Sequence, residues 1–205
     1  MLKIYLARHG QDEDNAAGIL NGHRDQPLTA LGLQQAQTLA ENIIEAELTF
    51  DKIYSSPLKR AYVTAQTVAK SLNIDQPEIL NDLIERDFGI MSGKRNEDIE
   101  PMCAPDILKA EIITYFLSPE GAETFPDLIK RGKKAIEFIK NHHKEGSILL
   151  VSHGDLCKMI YAAYYDLNWK DVLTQFHLGN SELLLLAEDS APQEAHVFRF
   201  AQHNH

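Results

Sequence analysis

The sequence predicts an α/β fold with a largely parallel sheet, because short apolar segments of strand length alternate with segments of helical period. The strongest predicted strand is 147–152, a nearly continuous apolar run of the kind that suits a parallel strand covered on both faces. The segment 2–7 is also a mostly apolar strand, and it breaks into Arg8-His9-Gly10. Because ligands bind at the carboxyl edge of such sheets, the ends of both strands are candidate sites.

The first half of the chain continues with a long loop and two helices. Residues 11–26 are polar and have no hydrophobic period, and loops of this length inside compact domains are usually functional. Thr29 is a candidate N-cap for a helix in which apolar residues recur at helical spacing. A second strand at 52–54 leads into Ser55-Ser56-Pro57, which predicts a serine cap and a proline at the first position of the next helix.

The second half contains a segment that looks like an insertion over the sheet. Helices are predicted near 96–100 and 106–115, within a lid of about 88–124. The remaining predicted elements are a strand at 78–80, a helix that begins near 125, a helix after 154, and strands at 181–187 and 195–200. No linker or internal repeat interrupts the chain, so residues 1–205 are predicted to form one domain.

The composition narrows the class of protein. The net charge of −10, from 20 Lys and Arg against 30 Asp and Glu, argues against non-specific nucleic-acid binding, which needs a basic face. No apolar run approaches the roughly 18 residues of a membrane span, and no secretory signal is recognisable. The two cysteines, Cys103 and Cys157, lack metal-type spacing, so a cytoplasmic protein with unpaired thiols is expected.

Two strand ends and one helix start carry groups that suit phosphate chemistry. If these elements are neighbours, His9, His153, Arg8 and Arg60 converge. Arginine presents planar forks that match phosphate oxygens, and a first-turn arginine opposes the helix dipole unless it meets an anion. A neutral imidazole is a competent nucleophile when an acceptor, often a backbone carbonyl, holds its other nitrogen. We therefore predict that His9 takes up a phosphoryl group and that His153 donates to the phosphate oxygens.

A proton donor for the leaving group is expected in the irregular stretch 83–89. Glu85 is the candidate, because a carboxylic acid near bound phosphate has its pKa raised by that negative charge. The alternative for Glu85 is an ion pair with Arg86. In the loop 11–26, Asn15 and His23 either face the pocket or satisfy loop backbone groups.

These segments together resemble the histidine phosphatase superfamily, in its phosphoglycerate mutase-like branch. The resemblance runs in order through LARHG at 6–10, PLT at 27–29, YSSPLKRA at 54–61, Glu85 with Phe88-Gly89, GAE at 121–123 and VSHG at 151–154. It implies a three-layer α/β/α sandwich and a phosphohistidine intermediate at His9. It also implies that Arg8, Arg60 and His153 form the phosphate pocket and that Glu85 is the proton donor.

The resemblance extends to residues around the pocket, with some departures. Asn15 matches a loop asparagine that borders the phosphate, His23 falls where a neighbouring loop group lies, and Gly154 is expected to bind substrate. Asp12 stands where the family often has threonine, and an acid there would repel a dianion unless it points away. The chain is also shorter than cofactor-dependent mutases tend to be.

The sequence therefore predicts a cofactor-free, metal-independent phosphatase that acts on a small phosphorylated metabolite. The runner-up is a phosphoglycerate mutase, in which Lys94 and Arg95 could grip the substrate carboxylate. A metal-dependent hydrolase using His9, His153 and Asp155 is disfavoured because no second ligand lies at i+4. A non-catalytic binding module is disfavoured because the whole constellation is present. The substrate and the oligomeric state stay open, and a homodimer is compatible with the sequence.

Overall fold

The computed structural model describes residues 1–198. Its strands form one main sheet and a separate two-stranded hairpin. The strands are β1 (Leu2–Arg8), β2 (Lys52–Ser55), β3 (Glu78–Ile79), β4 (Ile107–Lys109), β5 (Thr114–Phe116), β6 (Gly146–Ser152), β7 (Leu183–Leu186) and β8 (His196–Phe198). The helices are α1 (Glu13–Ala17), α2 (Ala30–Glu45), α3 (Lys59–Leu72), α4 (Ile99–Cys103), α5 (Phe125–His142), α6 (Gly154–Tyr164) and α7 (Trp169–Gln175). Short 3-10 turns lie at Asn81–Leu83, Gly89–Met91, Asn96–Asp98 and Pro192–Glu194.

The main sheet has six strands in the order β3-β2-β6-β1-β7-β8. The first four strands are parallel, whereas β7 runs antiparallel to β1 and β8 antiparallel to β7. The register pairs Arg8 with Ser152, so the residues that follow β1 and β6 leave the sheet side by side. The mostly parallel sheet predicted from the sequence is confirmed, and its central edge carries the two His-Gly turns.

The sheet separates two apolar cores, which gives the three layers. Along β1, Ile4 and Leu6 belong to the core formed with α5, α6 and α7, whereas Tyr5 and Ala7 belong to the core formed with α2 and α3. Successive strand residues point to opposite faces, so an all-apolar strand needs helices on both sides. No helix within residues 1–198 is both long and apolar enough to cross a membrane.

Three local predictions are wrong: the unbroken loop at 11–26, the serine cap and first-position proline of the helix after β2, and the helix at 106–115. The loop 11–26 contains the short helix α1, which is too brief to show a hydrophobic period. The helix after β2 begins at Lys59 with Leu58 as its N-cap and without a side-chain cap, so Pro57 precedes the helix. The Ser56 hydroxyl accepts from the Leu58 backbone instead.

The segment 106–115 is mainly a β-hairpin, not the predicted helix. Ile107 and Phe116 pack in a small third core, and their neighbours Leu108 and Tyr115 contact the α5–α6 core, an alternation that belongs to strands. The predicted strand 195–200 is present as β8 up to Phe198, and its last two positions lie outside the described residues.

Candidate functional site

The site lies at the carboxyl edge of the sheet, where β1 and β6 end together. His9 and His153 are 2% and 0% exposed, and their ring centroids are 5.0 Å apart. The predicted convergence of the two imidazoles therefore has a structural cause. Parallel pairing of β1 with β6 brings together residues that are far apart in the chain.

The ring of His9 is oriented by the backbone of the next residue. Its Nδ1 donates to the Gly10 carbonyl at 2.6 Å, which leaves Nε2 with its lone pair. Burial, followed by the charges of Arg60 and Arg8, holds the pKa of His9 well below 6.5, so the ring stays neutral. A Cβ on Gly10 would overlap the Gly32 carbonyl, so only glycine fits this turn.

The ring of His153 is held at both nitrogens. Arg60 Nε donates to its Nδ1 at 3.2 Å, so the proton of the neutral ring lies on Nε2, which donates to the Ser56 hydroxyl at 2.7 Å. Burial and the Arg60 charge hold its pKa well below 6.5. The sequence predicts a serine helix cap at this turn, whereas in the structure the Ser56 hydroxyl is a hydrogen-bond partner of His153.

Arg8 presents a donor that nothing in residues 1–198 satisfies. Its Nη1 donates to the Leu178 carbonyl at 2.9 Å, but its Nε is buried without a hydrogen-bond partner. A Cβ on Gly154 would lie 3.5 Å from that Nε, so the missing side chain leaves the space in front of the guanidinium open. Since an unpaired buried guanidinium donor is costly, this space suits an anion.

Arg60 stands beside His153, as predicted, but its fork faces the protein. Its Nη1 and Nη2 donate to the Arg24 and Gly22 carbonyls at 2.6 and 2.8 Å. Its Nε also lies 3.3 Å from Asp12 Oδ2. The residue is 0% exposed. Arg60 therefore supplies charge and holds the loop, and the anion that it meets in this structure is a carboxylate.

Asp12, the departure from the family pattern, points toward Arg60. Its Oδ1 accepts from the Asn15 backbone at 2.8 Å, which caps α1, and its Oδ2 accepts from Asn21 Nδ2 at 2.7 Å. Burial raises the pKa of Asp12, and the Arg60 charge opposes that effect. The carboxylate is thus paired inside the protein.

Glu85 lies in the irregular segment after the 3-10 turn at Asn81–Leu83, and its carboxyl group meets the start of α6 in the wall of the site. Its Oε1 accepts from the backbone nitrogens of Arg86 and Leu156 at 2.8 and 3.2 Å, and its Oε2 accepts from that of Asp155 at 3.3 Å. Burial, followed by the Asp155 charge, raises the pKa of Glu85. The alternative ion pair with Arg86 is absent, because the Arg86 side chain pairs with Asp155 at 2.9 Å.

Arg131 on α5 holds the loop that carries Glu85, and sequence reasoning missed it. Its guanidinium donates to the backbone carbonyls of Asp82, Ile84 and Glu85, and it pairs with Glu123 at 2.6 Å. In the sequence it is one basic residue among several on an amphipathic helix. No local signal distinguishes it from its solvated neighbours.

The two loop residues separate into one that faces the cavity and one that does not. Asn15 lines the cavity described below, and its Oδ1 lies 3.4 Å from Asn180 Nδ2. His23 instead donates from Nε2 to the Glu85 carbonyl at 2.8 Å, and its Nδ1 lies 3.7 Å from Asp87 Oδ2. His23 therefore satisfies loop backbone, and through that contact it supports Glu85.

A cavity of about 320 Å³ opens beside these groups. The predicted site residues in its wall are Arg8, Asn15, Glu85 and Gly154. The hairpin and α4 contribute apolar residues, and Arg86, Asp155 and Lys158 add charge. Within residues 1–198, no three or more His, Cys, Asp or Glu side chains are grouped to hold a metal, and Asp155 is paired with Arg86.

Comparisons with known proteins test the resemblance to a family that the sequence shows. The model of the histidine phosphatase superfamily, branch 1, matches residues 4–198. Phosphoserine phosphatase 1 of Hydrogenobacter thermophilus is 31% identical over 165 residues, which are 80% of this chain and 76% of that protein. A 2,3-bisphosphoglycerate-dependent phosphoglycerate mutase of Bartonella quintana is 28% identical over 176 residues, 84% of this chain and 85% of that protein.

Solved structures of related proteins have the same fold. The phosphoserine phosphatase of Entamoeba histolytica, in a complex with 3-phosphoglyceric acid, is 28% identical and superimposes with a TM-score of 0.72 over 90% of each chain. Membership of this family, with phosphatases among the relatives, supports a phosphoric monoester hydrolase. From the family match over nearly its whole length, the chain belongs to the histidine phosphatase superfamily, branch 1.

Proposed function

We propose that this protein hydrolyses a small phosphomonoester through a phosphohistidine on Nε2 of His9. One observation carries the proposal: the His9 ring is neutral, tied at Nδ1 to a carbonyl, and set 5.0 Å from His153. Arg8 adds, at the cavity wall, a buried donor that has no hydrogen-bond partner among residues 1–198. Such a pre-organised nucleophile with adjacent positive charge suits phosphoryl transfer.

In the first step the Nε2 lone pair bonds to phosphorus while the ester P–O bond breaks. Protonated Glu85 gives its proton to the leaving alkoxide, and the raised pKa of Glu85 keeps that proton available. Arg8 and the Nε2–H of His153 stabilise charge on the phosphoryl oxygens, the latter in exchange for its bond to Ser56.

In the second step Glu85, now a carboxylate, takes a proton from water. The water oxygen bonds to phosphorus, the P–N bond breaks, and neutral His9 and protonated Glu85 are restored. Asn15 borders the phosphate, and the segment 88–124, with its hairpin against the cavity, acts as the lid. Arg60 holds His153 and the loop around Gly22 in place.

The mutase alternative is supported by the Bartonella relative but not by the grip predicted for it. Lys94 and Arg95 are exposed and outside the cavity wall, and Arg95 pairs with Glu97 at 2.7 Å. Hydrolysis therefore fits this site better than isomerisation. Measuring the isomerisation of 3-phosphoglycerate in parallel with phosphate release decides between them.

The test is covalent trapping of the intermediate. Wild-type protein mixed with a ³²P-labelled phosphomonoester and quenched in base should carry an acid-labile label, and His9→Ala should carry none. His142→Ala removes an exposed imidazole and serves as the matched control. Hydrolysis should persist in excess chelator, which tests metal independence. Full labelling of His9→Ala would exclude this mechanism.

The cellular setting is part of the same proposal. Cys103 and Cys157 are buried free thiols, which supports a reducing, cytoplasmic compartment. Cell fractionation tests the location. Light scattering in solution tests whether the protein is a homodimer.

A further inference from the structure

The cavity wall carries three cations, and two of them already have a role. Arg8 lies against Gly154, beside the proposed phosphate site. Arg86 is neutralised by Asp155 at 2.9 Å and donates to the Phe116 carbonyl at 3.1 Å. The third cation, Lys158, is used by nothing in the proposed mechanism.

Lys158 is a buried lysine whose charge has no carboxylate partner within the described part of the chain. It is 3% exposed, and its Nζ donates to the Tyr115 hydroxyl at 2.7 Å. No Asp or Glu carboxylate within residues 1–198 lies within 4.0 Å of it. One neutral hydroxyl satisfies only one of the three N–H donors of an ammonium. Since burying an unpaired charge is costly, the site is complete only when an anion is present.

The position of Lys158 relates it to the phosphate site. Gly154 and Lys158 are four residues apart on α6 and both line the cavity, so they share one helix face. One helical turn separates them by about 6 Å along the axis. Arg8 lies beside Gly154, so the cavity holds two separate cationic points, one for phosphate and one a turn further on.

We infer that Lys158, held by Tyr115, binds a carboxylate of the substrate, so that the protein selects phosphomonoesters bearing a carboxylate a few bonds from the phosphate. The inference rests on the proposed function and specifies its substrate class. A single ammonium is a point charge that matches the single charge of a carboxylate. A second phosphate is matched better by an arginine fork, and the nearby fork of Arg86 is occupied.

The experiment uses substrates that differ in the carboxylate alone. O-phosphoserine and O-phosphoethanolamine form one pair, and 3-phosphoglycerate with glycerol 3-phosphate forms a second, closely matched pair. The wild type should prefer the carboxylate-bearing member of each pair. In Lys158→Met the ratio of kcat/KM within a pair should fall about 10- to 100-fold, chiefly through KM, because a charge-assisted bond is lost. Lys158→Arg should recover part of the preference.

Matched variants separate recognition from folding. Lys94→Met removes an exposed lysine that lies outside the cavity wall, and should keep the wild-type ratio. If Lys158→Met does not fold, Lys158→Gln gives the answer, because it removes the charge and keeps a donor for the Tyr115 hydroxyl. The ratio of kcat/KM within a pair should then fall as well, and an unchanged ratio contradicts the inference.

The other possible results contradict either the inference about Lys158 or the proposed function itself. A wild type that hydrolyses both members of a pair equally overturns the inference, as does a Lys158→Met variant that slows both members to the same extent. A wild type that hydrolyses no phosphomonoester and takes no label at His9 refutes the proposed function, and the inference with it.

Discussion

The ends of β1 and β6 look alike in sequence but differ in how their histidines are held. Both strands run into His-Gly, and their register places the two turns side by side. At β1, one ring nitrogen of His9 is bonded to a carbonyl, and Nε2 keeps its lone pair. At β6, both ring nitrogens of His153 are engaged, by Arg60 and by Ser56. The partners of each histidine, not the strand-histidine-glycine pattern, therefore distinguish the proposed nucleophile from the proposed donor.

The largest expected effect comes from removing each imidazole in turn. His9→Ala should lower phosphatase kcat by about 10⁴-fold or more, because the covalent route is lost. His153→Ala should lower it by about 10²- to 10³-fold, the usual effect of one donor to a developing charge. Steady-state hydrolysis of an aryl phosphate measures both, and circular dichroism checks folding. Equal losses would remove the distinction between the two ends.

The next-largest effect is expected at Glu85, the proposed acid that protonates the leaving group when His9 attacks. Glu85→Gln should slow an alkyl phosphomonoester by about 10²- to 10⁴-fold and p-nitrophenyl phosphate far less, because a good leaving group departs without a proton. The exposed Glu120→Gln is the matched control. Parallel losses on both esters would show that Glu85 is not the acid.

The pH dependence of kcat/KM also tests the roles proposed for His9 and Glu85. Lowering of the His9 pKa keeps the nucleophile neutral to well below pH 6.5, so the acidic limb of kcat/KM lies below that value. Raising of the Glu85 pKa keeps the acid protonated above 4.5, so the basic limb lies above that value. Glu85→Gln should lose the basic limb and keep the acidic one. Titration of the substrate is common to both proteins, so a basic limb unchanged in the variant contradicts the assignment.

A smaller effect on activity concerns the ion pair behind the β6 end. Asp12→Asn leaves Arg60 buried without its carboxylate, and should lower the free energy of unfolding by about 3 kcal/mol. Inhibition by inorganic phosphate should change less than about tenfold, since Arg60 already neutralises that carboxylate. Urea denaturation and inhibition assays measure the two quantities, with the exposed Glu13→Gln as control. A large gain in phosphate affinity would mean that Asp12 repels the substrate.

The smallest effect is expected from Ser56→Ala. The change leaves the Nε2–H of His153 without its acceptor, and the loss of one hydrogen bond should change kcat by about two- to tenfold. Thr67→Ala, within α3, removes one hydroxyl hydrogen bond, to the Val63 carbonyl, and serves as a control. A loss as large as that of His153→Ala would make Ser56 a participant in the chemistry.

By itself the sequence determined the alternating fold, the position of both histidines at strand ends, and Arg60 at a helix start. These follow from local signals, since a buried parallel strand must be apolar on both faces and a glycine permits the turn that ends it. Glu85 and Asn15 carry no periodic signal, and the residues alone left each of them open to a second interpretation. The resemblance to a family then favoured a role at the site for both.

The tertiary structure alone decided which partner each polar group has. Arg131 reaches the Glu85 loop, Asp12 turns to Arg60, and Lys158 meets Tyr115 across spacings of 43 or more residues along the chain. The hairpin at 106–115 likewise exists because its alternate side chains fill two different cores. Such choices depend on which buried groups lie near each other after folding, and hydrogen-bonding capacity in the sequence does not specify that proximity.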